Sequence, residues 1–240
     1  MKKILAAVLV LTLALALCAF AVAEEAVSYA DYAAAELDTE VTIEASVQAH
    51  QSWWDGKVTI YAADEDGAYF LYEVPCSEED AEKLVPGTKF KATGFKSEWS
   101  GEVELADISA FEILEGEGYI AEPVDVTELL GKDELAEKMN QLVAFKGMTV
   151  EPSTIEGDET EYAFLYNWDG SGEDGNDLYF NVSKDGATYN FTVESYLCGP
   201  GTDVYEAVKA LNVGDVVDLE GFLYWYNGAN PHITAVAAAE

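Results

Sequence analysis

Between Val41 and Ala49 every second residue is apolar, with Thr42, Glu44, Ser46, Gln48 and His50 on the alternate positions. That two-residue period is the mark of a strand with one buried face, and it predicts a strand over 39–50. Two further strands are expected at 57–64 and 68–74, joined by Asp64-Glu65-Asp66-Gly67, an acidic turn ending in glycine. Ser77 then heads a helix of about two turns, with Asp80 at the capping-box position and Ala81, Leu84 and Val85 turned inward. Strands at 88–96 and 102–113 complete the set. Ahead of it, Ser28 and Asp31 have the same capping spacing and predict a short helix through Leu37.

The segment from Pro86 to Gly101 recurs in altered form from Val213 to Gly228. Gly87 matches Gly214, Gly94 matches Gly221, Phe95 matches Phe222, Trp99 matches Tyr226 and Gly101 matches Gly228, all at an offset of 127 residues. A constant offset indicates a repeated supersecondary unit. Each copy has a turn glycine, an alternating strand, an interior glycine where that strand can bend, and a hairpin tip closed by glycine.

The first strands of the copies, aligned through Val41 and Val143, are offset by only 102, so the second copy gained 25 residues. Its predicted plan is a helical lead-in over 127–140, strands at 141–150 and 161–167, a helix over 202–211 and two final strands. The gain is assigned to the loop 168–177 and an inserted hairpin around Asp185-Gly186. Glu115-Gly116-Glu117-Gly118 reads as a linker. The expected division is a leader over 1–23, a first domain over 24–114, a linker over 115–121 and a second domain over 122–240.

Three strands, a helix and two strands, with a glycine-bent fourth strand, resemble the OB-fold. Asn212 to Gly221 and Pro86 to Gly94 are similar to the fourth strand of bacterial OB modules. Val124 to Leu130, followed by Gln141 to Gly147, is similar to the start of such modules in secreted proteins. The fold expected is therefore all-β with short helices: two tandem five-stranded OB-like barrels, the second with an inserted hairpin.

Met1-Lys2-Lys3, an apolar run from Ile4 to Phe20 and Ala21-Val22-Ala23 have the order of a secretory signal, with cleavage expected before Glu24. The run is short for a bilayer span, so the mature chain is expected to carry no transmembrane segment. Cys18 opens a lipoprotein alternative. Either way the protein is expected to be secreted or held at the cell surface. Cys76 and Cys198 fall at equivalent places in the two copies, which argues against a disulfide framework.

Acidic residues outnumber lysines 46 to 12, arginine is absent, and the net charge is −34. Such a chain repels phosphate backbones and lacks the side chain that grips them in pairs, so nucleic acid is an unexpected partner at this stage.

The resemblance implies a ligand face along the second and third strands, flanked by the loops between strands one and two and between strands four and five. Trp53, Trp54 and Trp99 fall in those loops, Tyr61 and Thr59 share one face of the second strand, and Tyr69 and Glu73 one face of the third. Gln48, His50, Gln51 and Glu98 border the indoles with hydrogen-bonding groups. Tyr224, Trp225 and Tyr226 occupy the equivalent hairpin of the second unit, with His232 on the strand after it. Aromatic loops of this kind either contact a ligand or close barrel ends and interfaces.

Asn167, Asp169, Ser171 and Glu173 alternate around Gly172 as a calcium loop would, but Leu178 stands where the bidentate glutamate belongs. No cofactor is expected beyond weak calcium binding there. No serine elbow, Cys–His pair or metal-ligand spacing is visible, so an enzyme is not expected. The expected function is a non-enzymatic module contacting carbohydrate or protein at a bacterial cell surface through its aromatic loops. The alternatives are an assembly protein whose aromatic loops form interdomain or intermolecular contacts, or a weak calcium-binding exported protein.

Overall fold

A computed structural model describes residues 25–239. The expected leader, its cleavage site and Cys18 lie outside these residues. Among the described residues no helix is long and apolar enough to cross a membrane.

The first barrel opens with α1 (Tyr29–Ala34), capped by Ser28, whose Oγ accepts the Asp31 N–H. It continues through β1 (Glu40–His50), β2 (Lys57–Ala63), β3 (Ala68–Pro75), the single turn α2 (Glu78–Ala81), β4 (Thr88–Trp99) and β5 (Glu102–Glu117). The strands close in the order β1-β2-β3-β5-β4, with β1 returning to β4 from Glu40↔Phe95 to Ser46↔Lys89. Inward residues such as Ile43, Val47, Ile60, Leu71, Phe90 and Leu105 fill the barrel, and Tyr32 of α1 packs against the same core.

The second barrel uses β7 (Leu142–Glu151), β9 (Leu178–Lys184), β10 (Ala187–Val193), α3 (Asp203–Lys209), β11 (Val216–Phe222) and β12 (His232–Ala238). It closes the same way, because β7 pairs with both β11 and β9, and β10 meets β12 in parallel at Thr192↔His232. Two-residue strands β6 (Val124–Asp125) and β8 (Leu165–Tyr166) extend its margins. The chain is thus two closed five-stranded OB-like barrels with few short helices.

Both matched glycines sit at register shifts, Gly94 between Thr93 and Phe95 and Gly221 beside Glu220. The reason is close approach: a Cβ on Gly94 would stand 2.7 Å from the Ala106 carbonyl, and one on Gly221 would run into the His232 carbonyl.

Four details differ from the sequence reading. The hairpin at Asp185-Gly186 is no insertion; it joins β9 and β10, the second and third strands of the barrel itself. The added residues form the excursion between β7 and β9, which includes the expected loop 168–177; the segment expected as a strand over 161–167 pairs only by an isolated bridge of Tyr162 to Ser153 and at Leu165 and Tyr166. Glu115 to Glu117, read as linker, belong to β5, where Glu117 pairs with Thr88. The lead-in helix is two 3-10 segments, Thr127–Leu129 and Asp133–Lys138.

Candidate functional site

Simple alternation holds along β2 and along β3 as far as Tyr72, beyond which the ladder shifts register. Tyr69 and Leu71 point into its core, whereas Tyr61, Phe70 and Tyr72 point out. The outward face of β3 is therefore Phe70 and Tyr72; of the expected pair, Tyr69 lies in the core, while Glu73 is exposed and pairs with Lys57 at 2.6 Å. Glu102 and Glu104 of β5 are likewise buried.

The second barrel covers this face. Tyr61 stacks on Phe222 at 4.5 Å between centroids and meets Phe70 edge-on at 5.1 Å. Tyr224 stacks on His232 at 4.4 Å and touches Phe70 edge-on at 5.3 Å. Burying such rings contributes about 2 kcal/mol each. Hydrogen bonds fix the register of the two bodies. The Trp225 N–H donates to Glu102 Oε2 at 2.8 Å, the Ser52 N–H to the Tyr196 carbonyl at 2.6 Å, and Asn140 Nδ2 to the Val103 carbonyl at 3.0 Å. The Trp225 indole lies over Gly101, where an added Cβ would come within 2.7 Å of it.

Beside this aromatic seam the barrels leave a cavity of about 440 Å³. Gln51, Phe70, Tyr72, Trp99 and Glu104 line it from the first barrel, and Glu194, Tyr224 and His232 from the second. A larger depression of about 850 Å³ runs along β12, but it is open, has no aromatic wall, and its Lys146 is paired with Asp218 at 3.2 Å. A shallower depression of about 150 Å³ beside Trp54, Tyr72 and Tyr196 also mixes rings with polar groups, but it is smaller and its Lys57 and Glu73 pair with each other at 2.6 Å.

Burial sets the charge state of the groups in and around the cavity. The Glu194 carboxyl is pushed up to about 7 by desolvation, partly offset by the Tyr196 and Leu197 N–H groups it accepts. Glu104 is raised by burial and then by the Asp107 charge. Glu102, in the seam, rises to about 8 through burial despite the Trp225 N–H. Burial holds His232 down at about 3, so its ring is neutral. The thiols are suppressed too, Cys198 up at about 11 by burial and then by the Glu194 charge, and Cys76 raised by burial.

Of the residues singled out from sequence, Gln51, Trp99, Tyr224 and His232 line the cavity, and Tyr61 lies behind it in the seam. Trp53 is half-buried, its Nε1–H donating to the Cys76 carbonyl at 3.0 Å. Trp54 is 73% exposed and stands outside the cavity. Gln48 ties down the connection between the barrels through the Tyr119 carbonyl and the Ala121 N–H, and His50 Nδ1 contacts the Gln51 carbonyl at 2.7 Å. Trp225 packs on the second core, and Tyr226 is exposed. Asp169 Oδ1 in the calcium-like loop accepts the Ser171 N–H. Among the described residues no three His, Cys, Asp or Glu side chains gather as a metal site. Sequence reasoning missed Phe70, Tyr72, Glu104 and Glu194. The available signal was two acids, Glu102 and Glu104, within an otherwise apolar strand.

No family model and no curated protein matches the chain. Among solved structures, it is similar to a murine DNA binding protein bound with double-stranded DNA (13% identity, 83% of this chain and 96% of that one, TM-score 0.37). Another is the p204 HINb domain (12%, 81% and 95%, TM-score 0.36). A third is a deletion mutant of the single-stranded DNA binding protein from Thermus aquaticus (12%, 84% and 94%, TM-score 0.26). These neighbours, DNA-binding proteins among them, correct two expectations: the module contacting carbohydrate or protein, and the exclusion of nucleic acid on charge. Both are set aside. Likenesses this distant assign no ligand to this chain.

Proposed function

We propose that this is a binding protein whose two barrels hold one small ligand in the cavity between them. The observation that carries the reading is the convergence of eight side chains, from both barrels, on one aromatic-walled space of about 440 Å³. Small-molecule sites favour domain boundaries and volumes of roughly 300–1,000 Å³, with a few polar groups on apolar walls. Binding rather than turnover is the reading, because His232 is neutral with Nδ1 held by Tyr61, and neither thiol sits where it would ionise readily. The leader-like residues 1–23 support an exported protein.

The test is a thermal-shift and tryptophan-fluorescence screen against small amines, carboxylic acids and uncharged alcohols, with single- and double-stranded oligonucleotides alongside. A ligand at about 100 times its Kd stabilises by about 2.7 kcal/mol, which such a screen resolves. Compounds should raise the Tm of the wild type and bind more weakly to Trp99→Ala and Tyr72→Ala. Small molecules that all fail, or oligonucleotide binding indifferent to both substitutions, would overturn the reading.

A further inference from the structure

The chemistry of the cavity narrows its ligand, on the premise that the cavity is a binding site. Each barrel contributes one carboxylate, Glu104 from β5 and Glu194 from the turn after β10, and no lysine lines the space. Glu104 is only 7% exposed. Among the described residues it has neither an ion pair nor a side-chain hydrogen bond. Its carboxyl oxygens open onto the cavity without a protein counter-charge, so a cation entering there would meet a largely desolvated carboxylate. Glu194 is fixed in place, its two oxygens accepting the Tyr196 and Leu197 N–H groups at 3.0 and 2.8 Å.

The walls match those acids. Trp99, 62% exposed at the end of β4, Tyr72 on β3 and Tyr224 in the β11–β12 loop add aromatic rings, whose negative faces attract cations. His232 adds a ring but no positive charge, and its Nε2 has no partner among the described residues. An anion would meet two carboxylates and nothing to neutralise them. A bare metal ion would find too few oxygen ligands, since no three metal-binding side chains converge among the described residues. An uncharged molecule would leave both carboxylates without a counter-charge.

We infer that the ligand is a compact organic cation, an amine or quaternary ammonium with an apolar body, held between Glu104 and Glu194 against the rings of Trp99, Tyr72 and Tyr224. The ammonium meets the acids and rings, and its hydrocarbon part meets Phe70.

Calorimetric titration of the whole protein at pH 8 and low salt tests this. The probes are choline and benzylammonium, each beside its uncharged counterpart, 3,3-dimethyl-1-butanol and benzyl alcohol, with glutarate as an anion. The cations should bind at least about tenfold tighter than their neutral counterparts, and added salt should weaken them. Glu104→Gln should weaken cation binding roughly tenfold and Trp99→Ala roughly fivefold, as expected for loss of a desolvated charge contact and of an aromatic wall. Trp99 is a surface side chain, so its removal reads binding and not folding. Trp54→Ala, outside the cavity, should change nothing. Neutral probes or glutarate binding as well as the cations would overturn the cation inference and leave the cavity reading standing. Failure of every probe here and every small molecule in the wider screen would overturn both.

Discussion

The hydroxyl of Tyr61, in β2, lies 2.7 Å from Nδ1 of His232, the first residue of β12, and both side chains are buried between the barrels. This contact joins residues 171 positions apart and depends on the imidazole staying neutral. His232 titrates at about 3 when folded against an ordinary 6.5, so its contribution is intact above 6.5 and lost as the pH falls from there toward 3. In Glu102→Gln, which removes an opposing carboxyl titration, urea denaturation between pH 7 and 4 should show that loss. Tyr61→Phe, which leaves Nδ1 without its partner, should cost about 1–3 kcal/mol at pH 7 with an unchanged m-value.

Glu102 acts in the opposite direction. Its folded value of about 8 lies above the ordinary 4.5, so the folded state holds the proton more tightly, and stability is present below 4.5 and lost as the pH rises through 8. The buried Oε1 of Glu102 and Oδ1 of Asn140 both lack partners among the described residues, and the Asn140 side chain lies within hydrogen-bonding reach of Glu102. A proton on Glu102 makes Oε1 a donor, which Oδ1 can accept. Glu102→Gln carries an N–H in that place at every pH, and should flatten the alkaline side of the profile, being the more stable protein at pH 9. With the His232 effect, the wild type should be most stable at about pH 5–6. Melting curves of both proteins from pH 4 to 9 check this.

Gly221, buried near the end of β11, should resist replacement by even the smallest side chain. A methyl group there meets the His232 carbonyl and Ile233 Cα, which are backbone and have nowhere to move. Gly221→Ala should cost at least about 2 kcal/mol by strain of the β11–β12 ladder. Because the ladder also positions His232, the same substitution should weaken ligand binding beyond its effect on Tm. Gly94→Ala, crowded by the Ala106 carbonyl and Ile108 Cδ1 at 2.7 Å, should destabilise the first barrel comparably.

Cation binding should strengthen with pH across the Glu194 titration. Below about 7 that carboxyl is protonated and offers no charge, whereas above it the carboxylate is formed. Affinity for a benzylammonium probe should therefore rise from pH 6 to 8 by up to about tenfold per unit on the acid side, then level off. In Glu194→Gln the curve should lose this step, which titration at four pH values would reveal.

Much of the barrel was legible because its signals are local. Caps at Ser28, Ser77 and Thr202 each accept the N–H three residues on, and both bend glycines do what their spacing implies. The second unit misled at 161–167, where Tyr162, Phe164 and Tyr166 alternate as in a strand. Leu178, Phe180 and Val182 of β9 alternate as well, and these fill the core. Nothing in the local pattern says which of two alternating segments a barrel will enclose.

The cavity was legible only by halves. Trp99 and Tyr224 stand out as large rings in loops, whereas Glu104 and Glu194 are two among 46 acidic residues, and a residue type that common marks no position. Their significance comes from burial, and the burial comes from the docking of one barrel on the other. That docking rests on Tyr61, Phe70 and Phe222, which alternate with core residues such as Ile60, Leu71 and Leu223 and so leave their barrels, but nothing within one unit says that these outward rings will meet.

The strand face by which an OB barrel ordinarily meets its ligand is, in the first barrel, occupied by Phe222 and Tyr224 of the second. Neither half therefore owns a complete recognition surface. Selectivity in this chain is a joint property, and a substitution in one copy of the repeat can redefine what the other is able to hold, so the duplicated units are bound to change together rather than drift apart.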